Sequence, residues 1–245
     1  MIKKIIFKGI TFSNFKNTKF VDIFKPKGLY LFPSAPGISS IDSAKKYYNS
    51  LKKADLVFFD SSFFVILLKI FKNINVERFS GYKFLKYFFI YLKKNNNSSI
   101  FLIEPSKNIS VSNKKYILNL GIKKKNFNNY IAPIYNSSEI NDQILIKNLK
   151  KKKPNIILIN IGGGVQEVLG LYLKKNLHHN CKILCTGAAI SFFTGQQAPI
   201  NDFIDKFYLG WLIRIIYNPK MFYKRYFYSL KLVKIVMFNR VKIIR

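Results

Sequence analysis

Acidic residues are scarce in this chain: 11 Asp+Glu stand against 42 Lys+Arg among 245 residues. The formal net charge of +31 calls for a polyanionic counterpart: nucleic acid, an anionic membrane face or phosphorylated substrates. No Asp-x-Asp occurs, so the usual paired acids that hold a divalent metal in sugar-nucleotide enzymes are missing. Cysteine is limited to Cys181 and Cys185. They bracket an apolar run and lack the tight C-x-x-C spacing of a zinc turn; with His178 and His179 they read as core thiols and surface imidazoles of a reduced, cytosolic protein. There is no Walker A loop, no G-x-S-x-G and no G-x-G-x-x-G with its downstream acid. No apolar run reaches the 18 or so residues of a spanning helix, since Asp60 and Ser61-Ser62 interrupt the longest, Leu56 to Phe71. The basic start, Met1-Ile-Lys-Lys-Ile-Ile-Phe7, lacks the apolar core and cleavage site of a secretory signal.

What remains is rich in apolar residues, 49%, too many for disorder and enough for a substantial core. Short apolar runs alternate with longer amphipathic ones, which predicts an α/β fold: a Rossmann-like, open, mainly parallel sheet flanked by helices. Strands are expected at Leu29–Phe32, Leu56–Phe59, Ile100–Ile103, Tyr130–Ile134, Ile156–Ile161 and Lys182–Thr186. Ile41, Ala44, Tyr48 and Leu51 recur at helical spacing after Ser39-Ser40, Ser80 can cap a helix over Tyr82–Lys93, and Ser137-Ser138 one over Glu139–Lys150. Gly121 suits the position just past a helix ending at Leu120. Lysine runs at 93–94, 123–125 and 150–153 are expected in solvated connections.

The tail differs. Asn218-Pro219 is a helix start, and Phe222, Tyr226, Leu230, Val233 and Met237 then fall on one side, with Lys220, Lys224, Lys231 and Lys234 roughly opposite. Such a helix either lies in a membrane interface or packs on the domain with its lysines in water. The expected division is an α/β domain over residues 1–206 and a C-terminal, membrane-associating amphipathic helical appendage over 207–245.

Two features carry chemistry. The apolar run Ile156–Ile161 stops at Gly162-Gly163-Gly164, and Gln166-Glu167 then opens a helix-like segment. Backbone N–H groups and a positive dipole end at such a junction suit a diphosphate, although glycine triplets also make plain turns. Of the few acids, Asp60, Glu104 and Glu167 fall at the ends of expected strands, where ligands of open α/β sheets sit. Asp60 is the general-base candidate, the alternative being a cap for the helix that follows it.

Several segments, in order, resemble motifs of the WecG/TagA/CpsF glycosyltransferases. Ala54–Asp60 looks like the strand that carries the family's proposed catalytic base, and Glu77-Arg78-Phe79-Ser80-Gly81 is similar to its Arg-x-x-Gly element. Gly162–Glu167 looks like its Gly-x-Pro-x-Gln-Glu hallmark. Gly187-Ala188-Ala189, Thr194-Gly195 and Ala198-Pro199 resemble its Gly-Gly, Ala-Gly and Arg-Ala-Pro elements. Leu209–Arg214 with Pro219 and Arg225 resembles its Gly-Leu-Glu-Trp-x-x-Arg and Pro-x-Arg-x-x-Arg elements. The resemblance spans roughly residues 29 to 228. Ser61, Gly164, Val165, Gln197 and Gly210 stand where the family has Gly, Pro, Lys, Arg and Glu, and Ser34 is the nearest polar stand-in for its N-terminal Thr-x-Asn.

The resemblance implies a metal-independent, inverting transfer of an N-acetylmannosamine-type sugar (or a related N-acetylhexosamine or uronic acid) from UDP to a polyprenyl-diphosphate-linked sugar, in cell-surface polysaccharide synthesis. It implies Asp60 as base. Gly162, Gly163, Gly164, Gln166, Glu167 and Ser34 would hold the nucleotide-sugar, and Arg78, Arg214 and Arg225 the diphosphates of donor or acceptor. No metal and no cofactor beyond the UDP-sugar substrate is implied. The expected partners are that donor, the lipid-linked acceptor, an anionic membrane surface on the inner face of a bacterial cell membrane, and a second copy of the chain; nucleic acid is not among them. Two rival readings stay open: a basic nucleic-acid-binding module, motivated by Tyr223-Lys-Arg-Tyr-Phe-Tyr228, and a catalytically degenerate relative acting as a scaffold.

Overall fold

Lys8 and Gly9 both take positive φ, 47° and 73°, the requirement of a two-residue type I′ turn. They join the antiparallel strands β1 (Lys3–Phe7) and β2 (Ile10–Asn14), with Phe7 opposite Ile10. Neither strand was foreseen. In the computed structural model, which describes residues 3–244, this hairpin lies next to one edge of a larger sheet.

The short helix α1 (Phe20–Ile23) leads to β3 (Gly28–Leu31). Helices α2 (Ala35–Ser39) and α3 (Lys45–Lys53) lead on to β4 (Leu56–Phe58). Next come α4 (Ser62–Lys72), α5 (Gly81–Lys94), β5 (Ile100–Glu104) and α6 (Lys107–Asn119). Strand β6 (Phe127–Ile131), α7 (Gln143–Lys152), β7 (Ile156–Ile159), α8 (Gln166–Asn176) and β8 (Lys182–Cys185) complete the alternation. Four helices follow, α9 (Asp202–Lys206), α10 (Gly210–Tyr217), α11 (Pro219–Tyr228) and α12 (Lys231–Phe238), before β9 (Val241–Ile244) returns to the sheet. The strand order is β6-β5-β7-β8-β3-β4-β2-β1-β9. From β6 across to β2 every neighbour is parallel; β1 and β9 add antiparallel pairs at the edge. The α/β, mainly parallel architecture with C-terminal helices is therefore the one the sequence predicts.

Side chains alternate between two cores, as the period of a strand requires. Leu29, Leu31, Val57, Ile157 and Ile159 enter one core, while Tyr30, Leu56, Phe58, Ile156 and Leu158 enter the other. Phe58 centres the second, with ring centroids 4.3 Å from Phe32 and 5.5 Å from Phe84.

Several expected boundaries move for local reasons. Strand β6 starts at Phe127, ahead of the predicted Tyr130, because pairing of Asn128 and Asn129 with β5 overrides their poor strand propensity. The helix predicted from Glu139 starts at Gln143: Asp142, not Ser137-Ser138, caps it by accepting from Leu145 N at 2.8 Å. The helix predicted after Ser39-Ser40 starts at Lys45, those serines instead bonding Ala35 and Gly37 carbonyls. Lys93-Lys94 and Lys150–Lys152 close helices rather than form connections, placing cations at the negative dipole end. The tail is two helices rather than one. The chain turns at Ser229, and Leu232 and Val236, both 0% exposed, then pack α12 against α4 and α2, whereas Leu230 and Met237 of the predicted apolar face are 54% and 44% exposed.

Candidate active site

Strands β7, β8, β3 and β4 are parallel neighbours, and ligands of open α/β sheets sit beyond the carboxyl ends of such strands. Across β7, β8, β3 and β4 the strand exits present, in spatial order, the glycine turn, Thr186-Gly187, Ser34 and Asp60.

Asp60 leaves the buried end of β4 and is itself half-buried. Ser61, not Asp60, caps α4, its Oγ accepting from Phe64 N at 3.1 Å. The alternative role for Asp60 is thereby removed. Its Oδ1 accepts from Gly81 N at 2.8 Å, and its carbonyl accepts from Arg78 Nε at 2.8 Å. Burial pushes its carboxyl above the ordinary aspartate range; Arg78, the Gly81 N–H and Arg214 oppose that rise, and Asp205 adds to it. A carboxylate so placed can orient and accept a proton.

At the glycine turn, Gly164 has φ 94°, a conformation that favours glycine. A side chain at Gly162 would meet nothing within 4 Å, so the backbone there borders open space. Gly164 N–H is not left bare: it donates to Glu167 Oε2 at 2.7 Å. Gln166 is a tie between elements. Its Oε1 accepts from Gly187 N at 2.7 Å and its Nε2 donates to Glu167 Oε1 at 3.2 Å. Burial raises the Glu167 carboxyl to about 7, against backbone N–H groups, the Gln166 amide and Arg225. Ser34 begins α2; its carbonyl accepts from Ile38 N at 3.0 Å and its hydroxyl makes no capping bond.

The three arginines occupy different places. Arg78 bridges Asp60 to Asp205, its Nη1 reaching Asp205 Oδ1 at 2.9 Å and the Asp205 carbonyl at 2.8 Å. Ser80 Oγ donates to the other carboxylate oxygen of Asp205 at 3.0 Å. Arg214 lies over Phe192 at 5.0 Å within reach of Asp60, and its Nε is buried with no partner among the described residues. Arg225 reaches from α11 to the glycine turn, where a side chain on Gly163 would stand 3.5 Å from its Nη2. Thus Asp60, Arg78 and Arg214 form one group and the glycine turn, Glu167 and Arg225 another.

Sequence reasoning missed the residue between them. Tyr47, only 3% exposed, feels Glu167, Asp60 and Arg225 together. The helical spacing had favoured Tyr48. Asp205, one acid among several on an apparent helix face, gave no local signal of its tie to Arg78. Glu104, the third strand-end acid, is fully buried and held by Asn113 and Asn160 amides at 3.0–3.1 Å, beneath the end of β7. A cleft of about 370 Å³ opens on the far side of Arg78, lined by Lys83, Lys86, Asp202 and Asp205, and a wider one of about 710 Å³ surrounds Tyr135 and Asp142. Neither is lined by Asp60 or the glycine turn.

Among the described residues, no helix is long and apolar enough to cross a membrane. No curated protein matches the sequence. The sequence profile described as "Glycosyl transferase WecG/TagA/CpsF family" matches residues 5–244, extending the resemblance to the hairpin and to β9. With nearly its whole length matched, the chain belongs to the WecG/TagA/CpsF family of glycosyltransferases.

Proposed function

We propose that this glycosyltransferase moves an N-acetylmannosamine-type sugar from UDP to a polyprenyl-diphosphate-linked sugar, with inversion, on the inner face of a bacterial cell membrane. The observation that carries this reading is that Asp60 and a glycine turn overhung by Arg225 stand at the exits of β4 and β7, along the same edge of the sheet. The acceptor hydroxyl oxygen attacks the anomeric carbon and passes its proton to Asp60. The bond from that carbon to the diphosphate oxygen breaks, and UDP leaves with the electron pair. Arg225, Arg214 and the start of α8 supply the positive field that a leaving diphosphate needs. With no Asp-x-Asp in the chain, that field comes from the protein's own cations and dipoles.

The tail supports peripheral attachment. Ile216, Met221, Tyr223 and Phe227 of α10 and α11 are 59–68% exposed, and Lys220 and Lys224 stand beside them. Apolar side chains flanked by cations suit an anionic lipid interface.

The test is incubation with a panel of UDP-sugars and a short-chain polyprenyl-diphosphate-sugar, read by mass spectrometry. A mass gain of one N-acetylhexosamine on the acceptor is expected. Oligonucleotide binding with a steep salt slope, and no UDP binding, would favour the nucleic-acid reading instead.

A further inference from the structure

Helix α3 packs against α8, and α2 packs against α11. The first contact sets the helix of Tyr47 beside that of Glu167, and the second sets the turn after β3 beneath Arg225. Because β3 lies between β8 and β4, whatever stands above its exit stands between the glycine turn and Asp60. The Tyr47 hydroxyl lies at that exit, against the helix that follows β3. It lies where a side chain on Gly37 would be, so the α2 backbone leaves a notch for it. Tyr30, Tyr48, Tyr130 and Tyr135 all donate to a protein carbonyl or carboxylate. The Tyr47 ring is buried, the residue being 3% exposed, yet its hydroxyl makes no hydrogen bond among the described residues and is not one of the enclosed unpartnered polar atoms, so its tip reaches accessible space. A phenol held by a buried ring, with its O–H unpaired and its tip accessible, is free to donate to a ligand.

We propose that Tyr47 is a catalytic residue whose hydroxyl donates a hydrogen bond to a non-bridging oxygen of the leaving diphosphate. This rests on the proposed transfer reaction. A phenol suits the task because it is a neutral donor between two carboxyl groups. Burial, with Glu167 and then Asp60, keeps its proton bound well above neutral pH, and Arg225 only partly offsets them. Tyr47 loses no proton in the step: the acceptor's proton goes to Asp60 and the electron pair to the diphosphate. The donated bond strengthens as charge gathers on that oxygen, so it favours the transition state over the bound substrate.

The test compares wild type, Tyr47→Phe and Tyr47→p-aminophenylalanine, which restores a neutral N–H donor at the same place, with the UDP-sugar and short-chain acceptor that wild type uses. Tyr47→Phe is expected to lower kcat roughly 10²-fold, with KM and melting temperature little changed, and the aniline variant to recover much of that loss. Transfer by Tyr47→Phe within twofold of wild type would overturn the proposal. So would equal loss in both variants, with or without a lowered melting temperature, since that marks a packing role. If wild type itself transfers nothing from any UDP-sugar, the transferase reading fails and this inference falls with it; if wild type and Tyr47→Phe are equally active, only the inference fails.

Discussion

Arg78 holds Asp60 and Asp205 with one guanidinium, its Nε on the Asp60 carbonyl and its Nη1 on Asp205 at 2.9 Å. The side chains of Arg78 and Asp205 are each 14% exposed, so this pair is screened little by solvent. It fastens the segment that begins the C-terminal helices to the exit of β4. Asp205→Asn should therefore cost about 2 kcal/mol, the range for hydrogen bonds to charged groups, and lower kcat/KM about tenfold. Thermal melting and steady-state kinetics check both. The reversed pair, Arg78→Asp with Asp205→Arg, should regain stability without activity, because an aspartate at 78 cannot donate to the Asp60 carbonyl.

Glu167 gives the protein a pH-dependent stability with a definite sign. Its folded carboxyl sits at about 7 against an ordinary 4.5, so the folded state binds its proton more tightly. The resulting contribution is complete below about 4.5 and is lost as pH rises towards 7. The shift corresponds to something on the order of 3 kcal/mol for this buried group. Glu167→Gln should flatten the stability profile between those limits, measured by denaturant unfolding at several pH values. A slope unchanged by the substitution would contradict this assignment.

Asp60 sets the acid limb of activity. As a base it must be ionised, and its carboxyl is raised above the ordinary 3.8 by burial. Transfer should therefore fall as pH drops through a pKa above that of a free aspartate. Arg78→Lys weakens the first of the opposing charges and should move that limb further upward, which a pH profile of kcat/KM would show.

The chain's single tryptophan, Trp211, is 47% exposed on α10, near the apolar surface of α11. Anionic vesicles should shift its emission to shorter wavelength, and neutral vesicles much less. Tyr223→Asp with Phe227→Asp should abolish the shift while leaving turnover of a water-soluble acceptor nearly intact.

Five of the six predicted strands were legible because apolar runs buried on both faces of a parallel sheet contain few polar interruptions, whereas the edge strand β6, with Asn128 and Asn129, was caught only at its end. The hairpin was not, since Lys8-Gly9 replaces the Asn-Gly or Asp-Gly that announces such a turn. Strand β9 escaped because Lys242, Ile243 and Ile244 are exposed and carry no pattern of a buried face. At the site, Asp60 and the glycine turn were readable from the ends of strands. Tyr47 was not, because its importance depends on a notch in α2 and on strand order, neither of which local spacing encodes. Asp205 meets Arg78 across 127 residues of chain, and no local pattern signals a contact of that range. The split tail shows the same limit: a single amphipathic stripe accounts for Phe222 yet not for Leu232 and Val236, whose burial requires the turn at Ser229.

The most direct measurement is sugar transfer by Asp60→Asn, paired with UDP binding by calorimetry. The expected result is a loss of transfer of at least about 10²-fold with UDP affinity nearly unchanged. Transfer by Asp60→Asn at the wild-type rate would contradict the assignment of Asp60 as the base.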